Sequence, residues 1–360
     1  MTKQRVLLGM SGGIDSSLAA LLLLEQGYNV VGLTLQMWDN IENDPRHKYD
    51  GSATIDSIHE AKAVADKLNI PHFTENIVHE FNQTVVCNFI DEYLGGKTPN
   101  PCVLCNTKIK WNVLLRKAKE LNCDYIATGH YAQIEKINSK YILKRAKDKK
   151  KDQSYFLWGL THDILKKSLL PLGKFTKDEI KKMAEERGFV KLAQKKESQE
   201  ICFIPDNDYR KYLKNNIPEL DQKIGQGNFI STNGEYLGKH EGYPFYTIGQ
   251  RKGLKIALGE PMYVVKIIAK TNEIVLGKRN ELYKKELRVK NYNLIEDIPL
   301  KSEIKVTTKV RYKSEGIKST IIKEDTVIKI YFDKEVFAIT PGQSAVFYKD
   351  EIVLGGGIIV

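Results

Sequence analysis

Cysteine is scarce in this sequence: Cys87, Cys102, Cys105, Cys123 and Cys202 are the only five in 360 residues. A set so thin, and odd in number, excludes the disulfide framework of a small secreted domain. In a reducing compartment such thiols are buried, metal-bound or catalytic. Long apolar runs are lacking as well. The longest, residues 18–24, is far too short to cross a bilayer. Residues 1–10 carry no apolar stretch followed by a small-residue cleavage site, so no secretory signal is expected. These absences predict a cytoplasmic chain with no membrane partner. No internal repeat is present, which removes solenoid architectures.

What is there describes an ordinary globular protein, 42% apolar and 28% charged, and neither figure suits a disordered chain. Its 360 residues exceed a single core of usual size and predict two or three domains. Lys and Arg outnumber Asp and Glu by 56 − 45 = 11. That excess fits a polyanionic partner, and equally a merely basic, solvated surface.

The first third alternates strand and helix. Residues 5–8 form a short apolar strand that runs into "GMSGGIDSS", and "SLAALLLLEQG" reads as a buried helix closed by Gly27. "NVVGLTLQ" is the next strand, residues 52–69 show helical spacing, "PHFTENI" is a third strand, and residues 80–94 and 104–121 are helical. "CDYIATGH" is a strand entering a loop. Such alternation predicts an α/β domain with a mostly parallel sheet, and its ligands bind beyond the carboxyl ends of the strands. From about residue 203 the pattern changes. A small mixed segment with a turn at Asn233-Gly234 gives way, from about residue 286, to the short alternating runs of a β-barrel. The predicted division is 1–204, 205–280 and 281–360. The basic run "KRAKDKKKD", residues 144–152, reads as a surface loop.

"SGGIDS" lies between the first strand and the first helix. Gly12 and Gly13 allow close backbone approach, amides at the helix start attract an anion, and Ser11, Ser16 and Ser17 add hydroxyls. Asp15 either caps the helix or holds magnesium beside a pyrophosphate. No lysine follows the glycines, so the GxxxxGK[ST] loop is absent. The order Ser-Gly-Gly-x-Asp-Ser after a first strand resembles the pyrophosphate loop of the ATP pyrophosphatases. That resemblance implies attack of an acceptor oxygen on the ATP α-phosphate, followed by ammonia in some members and sulfur in others.

"TPNPCVLCN" then carries two cysteines three apart. Simple burial, half a zinc site and a redox pair all remain open, although no second CxxC or HxxxH pair completes a zinc set. Pro99 and Pro101 make a stiff loop that ends at a helix start, where a thiol has a lowered pKa. Cys202, in the apolar "SQEICFIP", is the distant partner candidate.

Together "GMSGGIDSS", "TPNP" with "CN", "ATGHYA", "KDQSYFL", "ICFI", "TIGQRKGL" and "VRY" closely resemble the tRNA-specific 2-thiouridylases, in that family's order and at similar spacing. The resemblance runs from Gly9 to about Gln343. It implies an adenine-nucleotide hydrolase-like pyrophosphate-loop domain, a small central domain and a C-terminal β-barrel, which convert the wobble uridine of certain tRNAs to 2-thiouridine. It places ATP on Gly9, Met10, Ser11, Gly12, Gly13, Ile14, Asp15 and Ser16, with Leu35 at the adenine side and Gly129 near the nucleotide. Magnesium goes with Asp15. Cys105 becomes the first catalytic cysteine and Cys202 the carrier of persulfide sulfur, with a Cys105–Cys202 disulfide as one way to resolve the intermediate. Lys97, Thr98, Pro99 and Asn100 border the flipped base, and His130, Lys151, Asp152, Gln153, Arg311, Tyr312 and Gln343 contact tRNA. A cysteine desulfurase or sulfur-carrier protein is the implied donor.

One position departs from the better-known form of the family, which has an acidic residue three places before its first cysteine. This chain has Cys102 there. A third thiol allows a second route, an iron–sulfur cluster on Cys102, Cys105 and Cys202. The rival functions are an amide synthetase, a lysidine or 4-thiouridine enzyme, and an RNA-binding module without catalysis.

Overall fold

The computed structural model describes residues 3–38, 55–194, 201–204, 206–257, 259–295 and 299–360. Residues 39–51, and positions 198–200 and 205 of the "SQEICFIP" segment, lie outside them. The chain divides into two compact units. The first is Met1–Val85, Cys102–Asn207 and Glu351–Leu354; the second is Val86–Pro101, Asp208–Asp350 and Gly355–Val360.

In the first unit, strands β1 (Arg5–Gly9), β2 (Asn29–Gln36), β3 (His72–Asn76), β4 (Tyr125–Ala127), β5 (Gln133–Ile137), β6 (Lys140–Lys144) and β7 (Ser168–Leu169) appear in that order. Five of them form one sheet in the order β3-β2-β1-β4-β7, with every pairing parallel. The alternation of strand and helix therefore builds the sheet it predicted. Val6, Leu7 and Leu8 of β1 are wholly inaccessible, as expected of a strand covered on both faces. The Ile14–Glu25 helix buries residues on most of its circumference, so it lies in the core and not along its rim.

Strand order reverses at β1, whose neighbours are β2 on one side and β4 on the other. Loops leaving the carboxyl ends of β1 and β4 therefore open side by side, where ligands bind in such sheets. The β5–β6 hairpin, which the sequence reading did not anticipate, turns on Asn138 and Ser139 with φ of 47° and 68°. These left-handed residues match the right-handed twist of the flanking strands. Within this unit Ile352 and Val353 pair with Lys144 and Leu143 of β6.

The second unit holds strands β8 (Gly227–Ser231), β9 (Tyr236–His240), β10 (Tyr263–Ile268) and β11 (Glu273–Gly277) in the order β10-β11-β8-β9. The Tyr209–Asn216 and Leu220–Lys223 helices precede them. The β8–β9 hairpin turns at Asn233-Gly234, with Gly234 at φ 85°, where the dipeptide predicted it. Then come β12 (Tyr283–Leu294), β13 (Glu303–Lys309), β14 (Ile317–Lys323), β15 (Ile328–Phe337), β16 (Ser344–Lys349) and β17 (Ile352–Ile359). They follow the order β12-β15-β14-β13-β16-β17, and β12 pairs with β17 to close a barrel. Closure removes the exposed edges that an open sheet of this length would leave. Among the described residues no helix is long and apolar enough to cross a membrane.

Candidate active site

The turn after β1 begins the site. Gly13 caps the Ile14–Glu25 helix without any side-chain hydrogen bond to its first amides. Those amides are thus available to an anion, aided by the helix dipole. Gly12 has φ 73°, and a Cβ there would lie 2.7 Å from Ser57 O. Ser16 Oγ accepts from Ser11 N at 3.2 Å and donates to Gly13 O at 3.1 Å, while Ser17 Oγ donates to Gly13 O at 2.9 Å. The serines thus brace the turn internally. Met10, which opens the turn, and Leu35, near the carboxyl end of β2, are buried, 3% and 7% exposed.

Asp15 does not cap the helix. Both of its carboxylate oxygens accept from Lys177 Nζ, at 2.7 and 2.9 Å, and Oδ1 also accepts from Tyr131 Oη at 2.7 Å. Lys177 is 5% exposed and is the first residue of the Lys177–Glu186 helix. A capping box between Thr176 and Glu179 fixes that helix start. The lysine missing after the glycines is therefore supplied from 162 residues away. Sequence reasoning missed it. The T-x-x-E box announces the helix, but nothing in the sequence says what its first lysine meets.

Beyond β4, Gly129 packs directly on the phosphate turn. A Cβ at that position would stand 2.9 Å from Asp15 C and Ser16 N, so the two loops touch backbone to backbone. His130 follows. Its Nδ1 is 2.8 Å from Thr128 Oγ1, and its ring lies 5.2 Å from that of Trp111. Trp111 is itself fixed by its Nε1 donating to Ser168 Oγ at 3.0 Å. Burial, then the charge of Lys110, holds the His130 imidazole down at about 3, so it is neutral near pH 7 and offers hydrogen bonds instead of charge.

Lys110 leads to the thiols. The chain from Pro101 begins as a helix, Pro101–Leu104, then widens into a π turn over Cys105–Lys110 and resumes as Trp111–Glu120. Such local widening recurs at functional sites. Cys102 and Cys202 are half-buried and Cys105 is 5% exposed. Burial, then the thiols of Cys105 and Cys102, pushes the Cys202 thiol up to about 12, with Lys110 opposing. Burial likewise pushes Cys105 up to about 11, against Lys110 and with help from Cys102. Cys102 is raised by burial, again with Lys110 opposing. The thiols from positions 102, 105 and 202 thus share a desolvated surrounding in which each meets the Lys110 charge. The lowered pKa expected at a helix start is overturned. Cys105 sits past the first turn, and desolvation outweighs the dipole there.

The π turn is seated by close packing. Thr107 Oγ1 donates to Val103 O at 2.9 Å, and a Cβ on Gly159 would lie 2.1 Å from Thr107 Cγ2. Gly159→Ala is therefore expected to destabilise the protein by about 1–3 kcal/mol through overpacking. Thr107→Ser removes the clashing methyl, so the double variant should regain most of that loss in urea unfolding. Equal stability of the Gly159→Ala protein and wild type would show that the turn is not seated by this contact. Asn106, 3% exposed, donates from Nδ2 to Phe156 O at 3.3 Å, while its buried Oδ1 has no partner among the described residues. Phe203, beside Cys202, packs edge-on against Phe81 at 5.7 Å.

The remaining candidates fall in two groups. In the first unit Asp152 is turned inward, 5% exposed, accepting from Ala146 N, Ser154 N and Ser154 Oγ at 3.0–3.1 Å. It shapes the loop and presents no free carboxylate outward. Gln153 Oε1 accepts from Tyr131 N at 2.8 Å, tying the half-buried Lys151 and its neighbours to the His130 loop. In the second unit, Gln343 Nε2 donates to Thr98 O at 2.8 Å and to Pro99 O at 3.2 Å, and Thr98 N donates to Pro341 O at 2.9 Å. Lys97 pairs with Glu92 at 3.0 Å, and Asn100 is half-buried. Arg311 donates to Ala338 O and to Thr340 Oγ1, and Lys309 stands 5.8 Å from the Tyr312 ring. Gln343 and Arg311 thus organise backbone around the TPNP loop and the barrel.

Among the described residues no group of three or more His, Cys, Asp or Glu side chains is disposed to hold a metal ion. Cys102, Cys105 and Cys202 form no such group, so no iron–sulfur site is evident among the described residues. The Asp15 side chain is 37% exposed, and Glu60 Oε2 also borders the turn, 3.1 Å from where a Cβ on Gly12 would lie.

Three family models tile the chain. The tRNA methyl transferase HUP domain matches residues 4–206, the tRNA methyl transferase PRC-barrel domain residues 210–278, and the aminomethyltransferase beta-barrel domain residues 284–359. The chain is 51% identical over 360 residues to a tRNA-specific 2-thiouridylase MnmA of Amoebophilus asiaticus, covering 100% of this chain and 96% of the relative. It is 47% identical over 362 residues to that of Cytophaga hutchinsonii, covering 99% and 97%. A solved 4-thiouridine synthetase–RNA complex with bound ATP is more distant. Its TM-score is 0.38 with 17% identity, over 61% of this chain and 52% of that one.

Proposed function

Because the chain belongs to the tRNA-specific 2-thiouridylase family, we propose that it replaces the C2 oxygen of the tRNA wobble uridine with sulfur, at the expense of ATP. The single observation that carries this reading is the backbone contact of Gly129 with Asp15 and Ser16, with the next residue, His130, packed on Trp111 of the helix that follows the cysteine turn. An activated base held between nucleotide and sulfur needs that adjacency.

The uridine leaves its stack, as bases must for chemistry at their ring atoms, and borders Lys97, Thr98, Pro99 and Asn100. His130, Lys151, Gln153, Arg311, Tyr312 and Gln343 engage the surrounding tRNA, with Asp152 acting through loop shape. Gly9 to Ser16 cradle the phosphates, Leu35 lies at the adenine side, and Gly129 approaches the nucleotide. The C2 oxygen attacks the α-phosphate and pyrophosphate departs, its charge met by the free amides of the turn. Asp15 would hold magnesium together with phosphate oxygens, an ion that neutralises charge on the leaving group. Lys177 holds the Asp15 carboxylate in place throughout.

For sulfur, Cys202 takes a persulfide from a donor such as a cysteine desulfurase or carrier protein. The Cys105 thiolate attacks the Cys202 sulfur, forming a Cys105–Cys202 disulfide and releasing hydrosulfide. Hydrosulfide adds at C2 and AMP leaves, carrying the former C2 oxygen. A thiol reductant then returns two electrons to the disulfide. A protein that acts on tRNA in this way works in the cytoplasm.

Incubating the protein with unmodified tRNA, ATP, magnesium and sulfide, then analysing nucleosides by mass spectrometry, tests the reading. The expected product is 2-thiouridine, with one AMP per thiolated base. AMP without thiolated nucleoside, or amide products dependent on ammonia, would refute it. In the same assay Cys102→Ala reports the role of the third thiol, and undiminished turnover would make it a bystander.

A further inference from the structure

The "TIGQRKGL" segment has no part in the steps above, yet hydrogen bonding and packing tie it to the TPNP loop. Thr98 Oγ1 donates to Thr247 Oγ1 at 3.3 Å. Two residues on, Gly249 lies against the segment that also receives Arg311. A Cβ at Gly249 would stand 2.7 Å from Ala338 Cβ and 3.8 Å from Arg311 Nη2. With φ at 85°, the position suits glycine on both counts. Gln343 donates to Thr98 O from the far end of the same 338–343 stretch. Thr98, Thr247, Gly249, Arg311 and Gln343 therefore form one assembly, wholly within the second unit.

The loop leaving this assembly is braced from inside. Gln250 Oε1 accepts from Thr247 N at 3.1 Å, and its Nε2 donates to Lys252 O at 3.0 Å. Gly249 N donates to Val264 O at 2.8 Å and Val264 N to Gln250 O at 2.9 Å, which pins the loop to β10. These bonds use backbone groups and the Gln250 amide, and leave the side chains of Arg251 and Lys252 out. Both residues are exposed, and among the described residues neither side chain has an ion pair or a hydrogen bond. Lys255, by contrast, pairs with Glu241 at 2.6 Å. Two peptide steps separate Arg251 from Gly249, so their Cα atoms are at most about 7.6 Å apart.

Two adjacent cations on a braced loop, with no anion of their own, suit an anion from outside. Their setting selects it. A nucleotide pulled from its stack keeps its phosphates outside the pocket that takes the base, and Arg and Lys are the usual donors to phosphate oxygens. We propose that Arg251 and Lys252 bind the phosphates flanking the flipped uridine and so hold the RNA strand against the TPNP loop. The identity of the RNA rests on the thiolation reading, whereas the cationic site rests on the loop geometry.

Fluorescence anisotropy with an unmodified tRNA transcript, across about 50 to 200 mM salt, compares wild type with Arg251→Gln, Lys252→Gln and the double variant. Each single change should raise Kd about fivefold and lower the salt slope of binding by about one, and the pair by about two. Arg251→Lys should keep the slope. Lys182→Gln removes the same charge from an exposed helix position and should keep both Kd and slope. An unchanged slope in the double variant, or an equal loss in Lys182→Gln, would overturn the proposal. So would weakening confined to tRNAs of one anticodon sequence, since phosphate contacts carry no sequence information.

A second arm reads turnover. In the double variant the KM for tRNA should rise with the Kd while kcat and the KM for ATP hold, the pattern of lost uniform binding. A raised KM for ATP with an unchanged KM for tRNA would overturn the proposal. Failure of wild type to thiolate would instead count against the function, and the binding series would still decide whether Arg251 and Lys252 hold RNA.

Discussion

Serine at position 105 or 202 is expected to lower 2-thiouridine formation by about 10³-fold or more, with ATP and tRNA binding nearly unchanged. The argument is chemical. A hydroxyl neither carries a persulfide nor attacks one at neutral pH, whereas it fills almost the same volume as a thiol. Cys105 is 5% exposed and Cys202 half-buried, so an isosteric change leaves the packing around Phe203 and the π turn in place. The two variants should differ in what accumulates. Cys202→Ser accepts no sulfur from a donor. Cys105→Ser should accept it and stall, leaving a persulfide on Cys202 that mass spectrometry detects as one added sulfur. Turnover from either serine variant comparable to wild type would remove that cysteine from the chemistry.

Lys177→Met is expected to lower kcat/KM for ATP by about 10²–10³-fold, the scale of leaving one partner of a largely buried ion pair uncompensated. The buried ammonium donates to both oxygens of Asp15 at 2.7 and 2.9 Å. Without it, the carboxylate retains the Tyr131 hydroxyl at 2.7 Å as its one hydrogen-bond donor among the described residues and sits uncompensated at the mouth of the phosphate turn, where it repels the incoming nucleotide. Methionine keeps the length and apolar stem of the side chain, which limits the packing loss. Pyrophosphate release in the presence of tRNA measures the effect, and Lys177→Arg should recover part of it. A wild-type rate in Lys177→Met would mean that Asp15 needs no partner.

Much of the first unit was legible because its signals are local. Apolar β1 followed by a glycine turn and an all-round apolar helix can hardly fold otherwise, and the Asn233-Gly234 turn fell where its dipeptide placed it. The site was legible only in part. The expectation that positions 102, 105 and 202 converge came from resemblance, since no spacing rule joins residues nearly a hundred apart. Lys177 meets Asp15 across 162 positions, and the π turn depends on Thr107 seating against Gly159; both are tertiary events with no local signature. The thiol expectation failed for a related reason. Helix-dipole reasoning sees position along the chain, whereas the pKa of Cys105 and Cys202 is set by burial. Asp152 looked like part of a solvated basic run, yet its three hydrogen bonds turn it inward.

Convergence of thiols beside the nucleotide turn is the claim on which the rest stands, and a short bifunctional thiol reagent measures it directly. Dibromobimane fluoresces once both of its arms have alkylated sulfur, and peptide mapping then identifies the pair. The expected result is a bridge from Cys202 to Cys105 or Cys102, lost in Cys202→Ser. Single alkylation of Cys202 with no bridge to either partner, in protein that binds ATP, would contradict the account.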